Sequence, residues 1–235
     1  MKTHTHQIIA KMEGEFYPGL NAEFIFNLSN ESTRGAVLIG TARVEEYLEK
    51  LILIILPNES RRYTKKLLDY PGSLSSLSSK IELQYAFRLI DTKFYTALNV
   101  LRKLRNVAAH TIEPFEIEHI KEQLDAIIDF EEHFVVIIDE LARKNLCQIK
   151  ELQMRKAVEQ AEGSAAMKEN VVQEKLKTIW DEPSVNNQLV IWKLAYAMTF
   201  MCIKLLVLLD EYDALKEKDL TWLEIIDKNK EIGEK

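Results

Sequence analysis

The stretch "LRKLRNVAAH", residues 101–110, sets Arg102, Lys103, Arg105, Asn106 and His110 on one helix-forming segment. These side chains suit phosphate chemistry. Arginine grips phosphate oxygens in a bidentate fork, and histidine has the ordinary pKa best matched to proton transfer near neutrality. With Arg102 at 0° on an ideal helix, Asn106, Asn99, His110 and Lys103 fall at ~40°, ~60°, ~80° and ~100°, and Arg105 and Ala109 at ~300° and ~340°. Val100, Leu101, Leu104, Val107 and Ala108 fill the opposite arc. The polar face therefore holds two Arg, two Asn and one His. The competing reading is the solvated edge of a buried helix. Arg105 and His110 stand ~140° apart, so one chain does not converge them. A symmetric dimer pairing two such faces would bring two Arg and two His into one cleft.

The elements that must position this face are helices. Only seven Gly and five Pro serve 235 residues, so turns are few and elements long. With 47% hydrophobic and 29% charged residues, the composition is globular. The expectation is an all-α helical bundle with antiparallel neighbours and a C-terminal helical extension. Apolar periodicity places helices over 20–29, 33–56, 59–69, 80–90, 92–110, 116–146, 166–180 and 184–216, with a polar helix from about residue 219. Residues 147–162 continue the helix before them or form an arm. Ser32, Ser75 or Ser78, Asp91 and Ser184 are the expected N-caps. The chain divides into an N-terminal arm (1–19), a bundle core carrying the motif (20–146), and C-terminal helices (147–235) that pack on the core or on a second subunit.

A net charge of −6 and a pI near 5.5 weigh against a DNA-coating role, which depends on phosphate neutralisation by Lys and Arg. No helix-turn-helix signature is present, so direct DNA reading is not expected. Cys147 and Cys202 suggest no disulfide framework and fit a reducing cytoplasm. "MKTHTHQIIAKMEGE" lacks the apolar core of a secretion signal. His119 and His133 have no ligand spacing and His4 and His6 sit in the arm; no metal site and no cofactor are expected. Residues 189–209 approach bilayer-spanning length, but Lys193 and Lys204 interrupt them. A buried central helix is therefore expected rather than a membrane span. "SRRYTKK" offers Arg61, Arg62, Lys65 and Lys66 to a phosphate backbone and Tyr63 to a base, or else is a solvated face. The serines of "GSLSSLSS" read as caps and turns. Arg34, Arg43 and Glu46 are expected across the bundle from the motif helix, with Glu46 pairing with Arg102 or Arg105 or forming a purely structural salt bridge.

Arg105-Asn106-x-x-x-His110 resembles the R-x4-6-H motif of the HEPN superfamily, whose members are helical bundles that commonly dimerise and are in many cases metal-independent RNases. That likeness implies a toxin or defence endoribonuclease with an antitoxin as partner. His110 would handle the proton of a ribose 2′-hydroxyl or of the leaving oxygen, Arg105 would hold the scissile phosphate, and Asn106 would orient the pair. A broader resemblance covers about residues 32–112. "STRGAVLIGTARVEEYLEKLI", "GSLSSLSSKIELQYAFRLID" and "LNVLRKLRNVAAH" occur in the order seen in the mannitol operon repressor (MltR-like) family. Gly72, Leu74, Ser78, Lys80, Ile81, Leu83 and Tyr85 match its pattern; Ser73 and Ser75 stand where it has Pro and Gly. Members vary at the Arg and His positions, and this sequence keeps both. This likeness implies the alternative function, a non-catalytic transcriptional regulator acting through a protein partner or a bound nucleotide.

Overall fold

The scarcity of Gly and Pro is visible in the length of the helices. The computed structural model describes residues 22–56, 61–159 and 165–216. The arm at 1–19, with His4 and His6, and the polar helix expected from about 219 lie outside the described residues. Within them the chain is an all-α helical bundle without a strand. Its helices are α1 (Ala22–Ser29), α2 (Thr33–Ile55), α3 (Arg61–Leu68), α4 (Leu77–Ala86), α5 (Thr92–His110), α6 (Ile117–Ile128), α7 (Phe134–Glu159), α8 (Ala165–Lys177) and α9 (Pro183–Lys216). A 3-10 turn, Ile179–Asp181, precedes α9.

The motif helix α5 has the span its pattern predicts. Asp91 caps it, its Oδ1 accepting from Phe94 N at 2.8 Å. Ser32 caps α2 by accepting from Gly35 N at 3.0 Å. Both satisfy amides that a helix start leaves unpaired.

The core is organised around α9. Its segment Pro183–Ala214 is long and apolar enough to cross a bilayer, yet 89% of its most apolar window is buried inside the fold. The two lysines that interrupt it are both paired. Lys193 bonds Asp139 of α7. Lys204 donates to Asp91 Oδ2 and Glu131 Oε2, each at 2.7 Å, and sits 5.0 Å from the Phe94 ring centroid. A chain of aromatic rings, Phe94, Phe130, Phe134, Phe200, Tyr196 and Trp192, runs from the start of α5 into α9. α9 packs most extensively on α2. Gly40 makes this approach close: a Cβ there would lie 2.3 Å from Met198 Cε. A mid-helix Gly costs about 1 kcal/mol against Ala, so the close packing is what that position provides.

Four local expectations are corrected. The helix expected over 116–146 is broken at residues 129–133, with His133 at φ 67°. There Phe130 is buried, and its carbonyl and the Glu131 carboxylate both turn to Lys204. Tertiary contacts thus break a segment that contains no Gly or Pro. The helix expected to end at Ile90 stops at Ala86. Arg88 is left-handed (φ 57°), Leu89 N donates to Gln84 O and Arg88 N to Tyr85 O, the paired bonds of a Schellman ending. Ser76, rather than Ser75 or Ser78, caps α4. α9 begins at Pro183, where a missing N–H costs nothing, so Ser184 lies inside the helix. Residues 147–159 continue α7 to Glu159, one of the two outcomes expected for them.

Candidate functional site

On α5, the apolar arc is Phe94, Ala97, Leu98, Leu101, Leu104 and Ala108, all buried. The opposite arc faces outward. Arg102, Arg105 and Asn106 are half-buried, and Lys103 and His110 are exposed. Each arginine leans on an asparagine of its own helix: Arg102 Nε donates to Asn99 Oδ1 at 3.1 Å, and Arg105 Nη1 to Asn106 Oδ1 at 3.4 Å. Among the described residues no hydrogen bond or ion pair joins Arg105 or Asn106 to His110. For Arg105 this follows from its ~140° separation from His110 round the helix.

The end of α5 is held from outside. A helix C-terminus leaves carbonyls without partners. Arg34, in the first turn of α2, donates from Nη1 to Ala108 O and Thr111 O, both at 3.0 Å, and from Nη2 to Glu113 O at 2.8 Å. One guanidinium therefore ties the last turn of the motif helix to the chain leaving it. Its positive charge also sits where the helix dipole is negative. His110 lies between two of the three carbonyl-bearing residues, so its backbone is fixed while its ring is open to solvent.

Arg34 is thus the residue, of the three expected across the bundle, that reaches the motif helix. Of the two readings of Glu46 the structure has the structural salt bridge and not the pairing with Arg102 or Arg105: its carboxylate takes Arg43 Nη1 at 2.7 Å and Lys50 Nζ at 2.8 Å, both on α2. It lies ~120° round that helix from Arg34, away from α5. The hydrogen bond from Lys50 is the chief reason its carboxyl is held below the usual range; burial opposes this and Arg43 adds to it. The basic segment is not gathered either. Arg62, Lys65 and Lys66 are exposed, among the described residues no helix packs extensively on α3, and Lys65 faces Asp69 at 3.8 Å; Arg61 opens that helix.

The three segments that carry the family resemblance meet in space. Arg34, from the first, holds the end of the third. Lys80, from the second, is almost fully buried and bonds Glu45 at 2.5 Å and also Glu49, both from the first. Gln84 Nε2 donates to Leu48 O at 2.8 Å. In the intervening loop a Cβ on Gly72 would lie 2.3 Å from Leu67 O, which explains a glycine there. Sequence reasoning missed the stacking of Tyr85 on Tyr95, at 4.1 Å between ring centroids; only the packing of α4 on α5 creates it. An open cleft of about 470 Å³ lies elsewhere, between Asn30 and Glu31, Glu116, Leu146 and Trp192. None of Arg102, Arg105, Asn106 and His110 lines it. Among the described residues no three His, Cys, Asp or Glu side chains are grouped to hold a metal.

No family model, curated protein or solved structure matches the chain.

Proposed function

We infer that the chain is a HEPN-like endoribonuclease of the cytoplasm, acting as a homodimer in which two α5 faces form the cleft. The observation that carries this reading is the outward face of α5, where Arg105, Asn106 and His110 are presented on a helix whose last turn is held by Arg34. A single face is convex, and a second copy related by two-fold symmetry supplies the opposing wall. In the proposed reaction His110 accepts the ribose 2′-hydroxyl proton. The 2′-oxygen attacks phosphorus, the bond from phosphorus to the 5′-oxygen breaks, and that oxygen leaves with the proton that the His110 imidazolium gives up, which restores the base. Arg105 binds the charged phosphate oxygens as negative charge grows, and Asn106 orients its guanidinium. The products are a 2′,3′-cyclic phosphate and a 5′-hydroxyl. A toxin or defence role, with an antitoxin as regulatory partner, fits this activity.

The test is incubation of the purified chain with RNA in EDTA beside His110→Ala and Arg105→Ala. Cleavage by the wild type alone, leaving cyclic phosphate ends, supports the proposal. Equal cleavage by all three, or none by the wild type, overturns it.

A second reading is the non-catalytic MltR-like regulator that works through a protein partner or a nucleotide. The lack of any Arg105–His110 contact within one chain favours it. Sedimentation adds an independent check on the first reading: a chain that is monomeric at micromolar concentration has no shared cleft.

A further inference from the structure

We propose that the stacked Tyr85–Tyr95 pair is a nucleobase platform, at which single-stranded RNA is held along α5 on its way to His110. This rests on the RNA-cleaving reading above and names a binding subsite for it. The two rings lie 21° from parallel with centroids 4.1 Å apart, and Tyr85 is 37% exposed. Their hydroxyls are tied at the edges. Tyr95 Oη donates to Glu82 Oε1 at 2.8 Å, and Tyr85 Oη pairs with Thr92 Oγ1 at 3.3 Å. The rings are therefore pre-set, and a base stacking on them pays little ordering entropy. Phe87, 44% exposed, follows at the end of α4.

The pair stands in line with the motif. On an ideal helix Tyr95, Asn99, Arg102 and Asn106 fall within an arc of ~60°, and Tyr95 and His110 are ~22 Å apart along the axis. That span suits an oligonucleotide of about 4 residues. Arg102, Lys103 and Arg105 supply positive charge along it, and exposed Arg88 follows the turn beyond Tyr85. Glu82 is the carboxylate bonded to the pair; it keeps its negative charge and lies at the hydroxyl edge of Tyr95 rather than on a ring face. Stacking on aromatic rings tolerates any base, so sequence preference at this end is weak.

The test uses full-length protein carrying His110→Ala, which binds without cutting, and a fluorescent single-stranded RNA read by anisotropy. Tyr85→Leu is expected to weaken binding roughly tenfold, and Tyr85→Phe to restore it. Equal affinity of the folded Leu variant overturns the proposal. If the Leu variant does not fold, photocrosslinking of 5-iodouridine RNA to the His110→Ala chain decides. Adducts on the tryptic peptides Ile81–Arg88 or Phe94–Arg102 support the platform, and adducts confined elsewhere refute it. Tyrosine-dependent binding with no cleavage by the wild type would remove the catalytic reading and leave the platform. Cleavage with tyrosine-independent binding would do the reverse.

Discussion

Arg34 Nη1 donates to Ala108 O at 3.0 Å across 74 positions of sequence. With the bonds to Thr111 and Glu113, it makes the start of α2 the anchor for the end of α5. A motif whose parts diverge round a helix depends on that end being rigid, because His110 occupies its last residue.

Arg34→Ala should lower unfolding free energy by about 2 kcal/mol, since a charge-assisted hydrogen bond contributes ~1.5–3 kcal/mol and these are partly solvated. Lysine cannot span three carbonyls, so Arg34→Lys should recover less than half. Denaturant titration measures the loss. Amide exchange should accelerate selectively around residues 108–113; a uniform increase across the chain would contradict a local anchor.

Asp91 joins a helix cap to a buried ammonium. Burial acts to raise its carboxyl, but Lys204, with the amides of Phe94 and Lys93, outweighs this and holds it below the usual range. A depressed carboxyl contributes stability that is present above its unfolded value of about 3.9 and lost as pH falls through the folded value. Asp91→Asn should therefore destabilise at pH 7, with the gap from wild type narrowing as pH falls from about 5 to below 3. Thermal melts across that range check the sign; a gap that widens in acid would be inconsistent with it.

Lys80 holds Glu45 and Glu49 together from a nearly fully buried position. Its burial opposes the charge, and the two carboxylates prevail, raising its pKa. Lys80→Met should cost roughly 2–3 kcal/mol, less than the 3–5 kcal/mol of a wholly buried broken pair because both glutamates are partly exposed. Adding Glu45→Gln should recover part of the loss by relieving like-charge repulsion at i,i+4. Additive losses in the double variant would count against the clamp.

Gly40 sets the distance between α2 and α9. Gly40→Val must displace Met198, which has no exposed surface, and should lower stability by about 2 kcal/mol. Gly40→Ala should change it by less than ~1 kcal/mol, because helix propensity returns about what the flexible methionine must yield. The shift in denaturation midpoint reads both.

The helices and several of their caps were legible in the sequence, because apolar period and capping chemistry are local. α5, with Asp91 before it and Leu101, Leu104 and Ala108 inward, follows from residues 91–110 alone, although Val107 of the same expected arc is 44% exposed. So does the outward face of the motif. The partners of charged groups were not legible. Glu46 turned to Arg43 and Lys50 rather than to α5, and Lys204 found Asp91 and Glu131 from 113 and 73 positions away. The break at residues 129–133 has no Gly or Pro to announce it; there the Phe130 carbonyl and the Glu131 carboxylate meet Lys204, a contact no local pattern encodes. Periodicity tells a helix which side is buried; which helix lies against that side, and in which direction it runs, is decided by packing across the whole chain. That packing placed Arg34 under the end of α5 and Tyr85 on Tyr95.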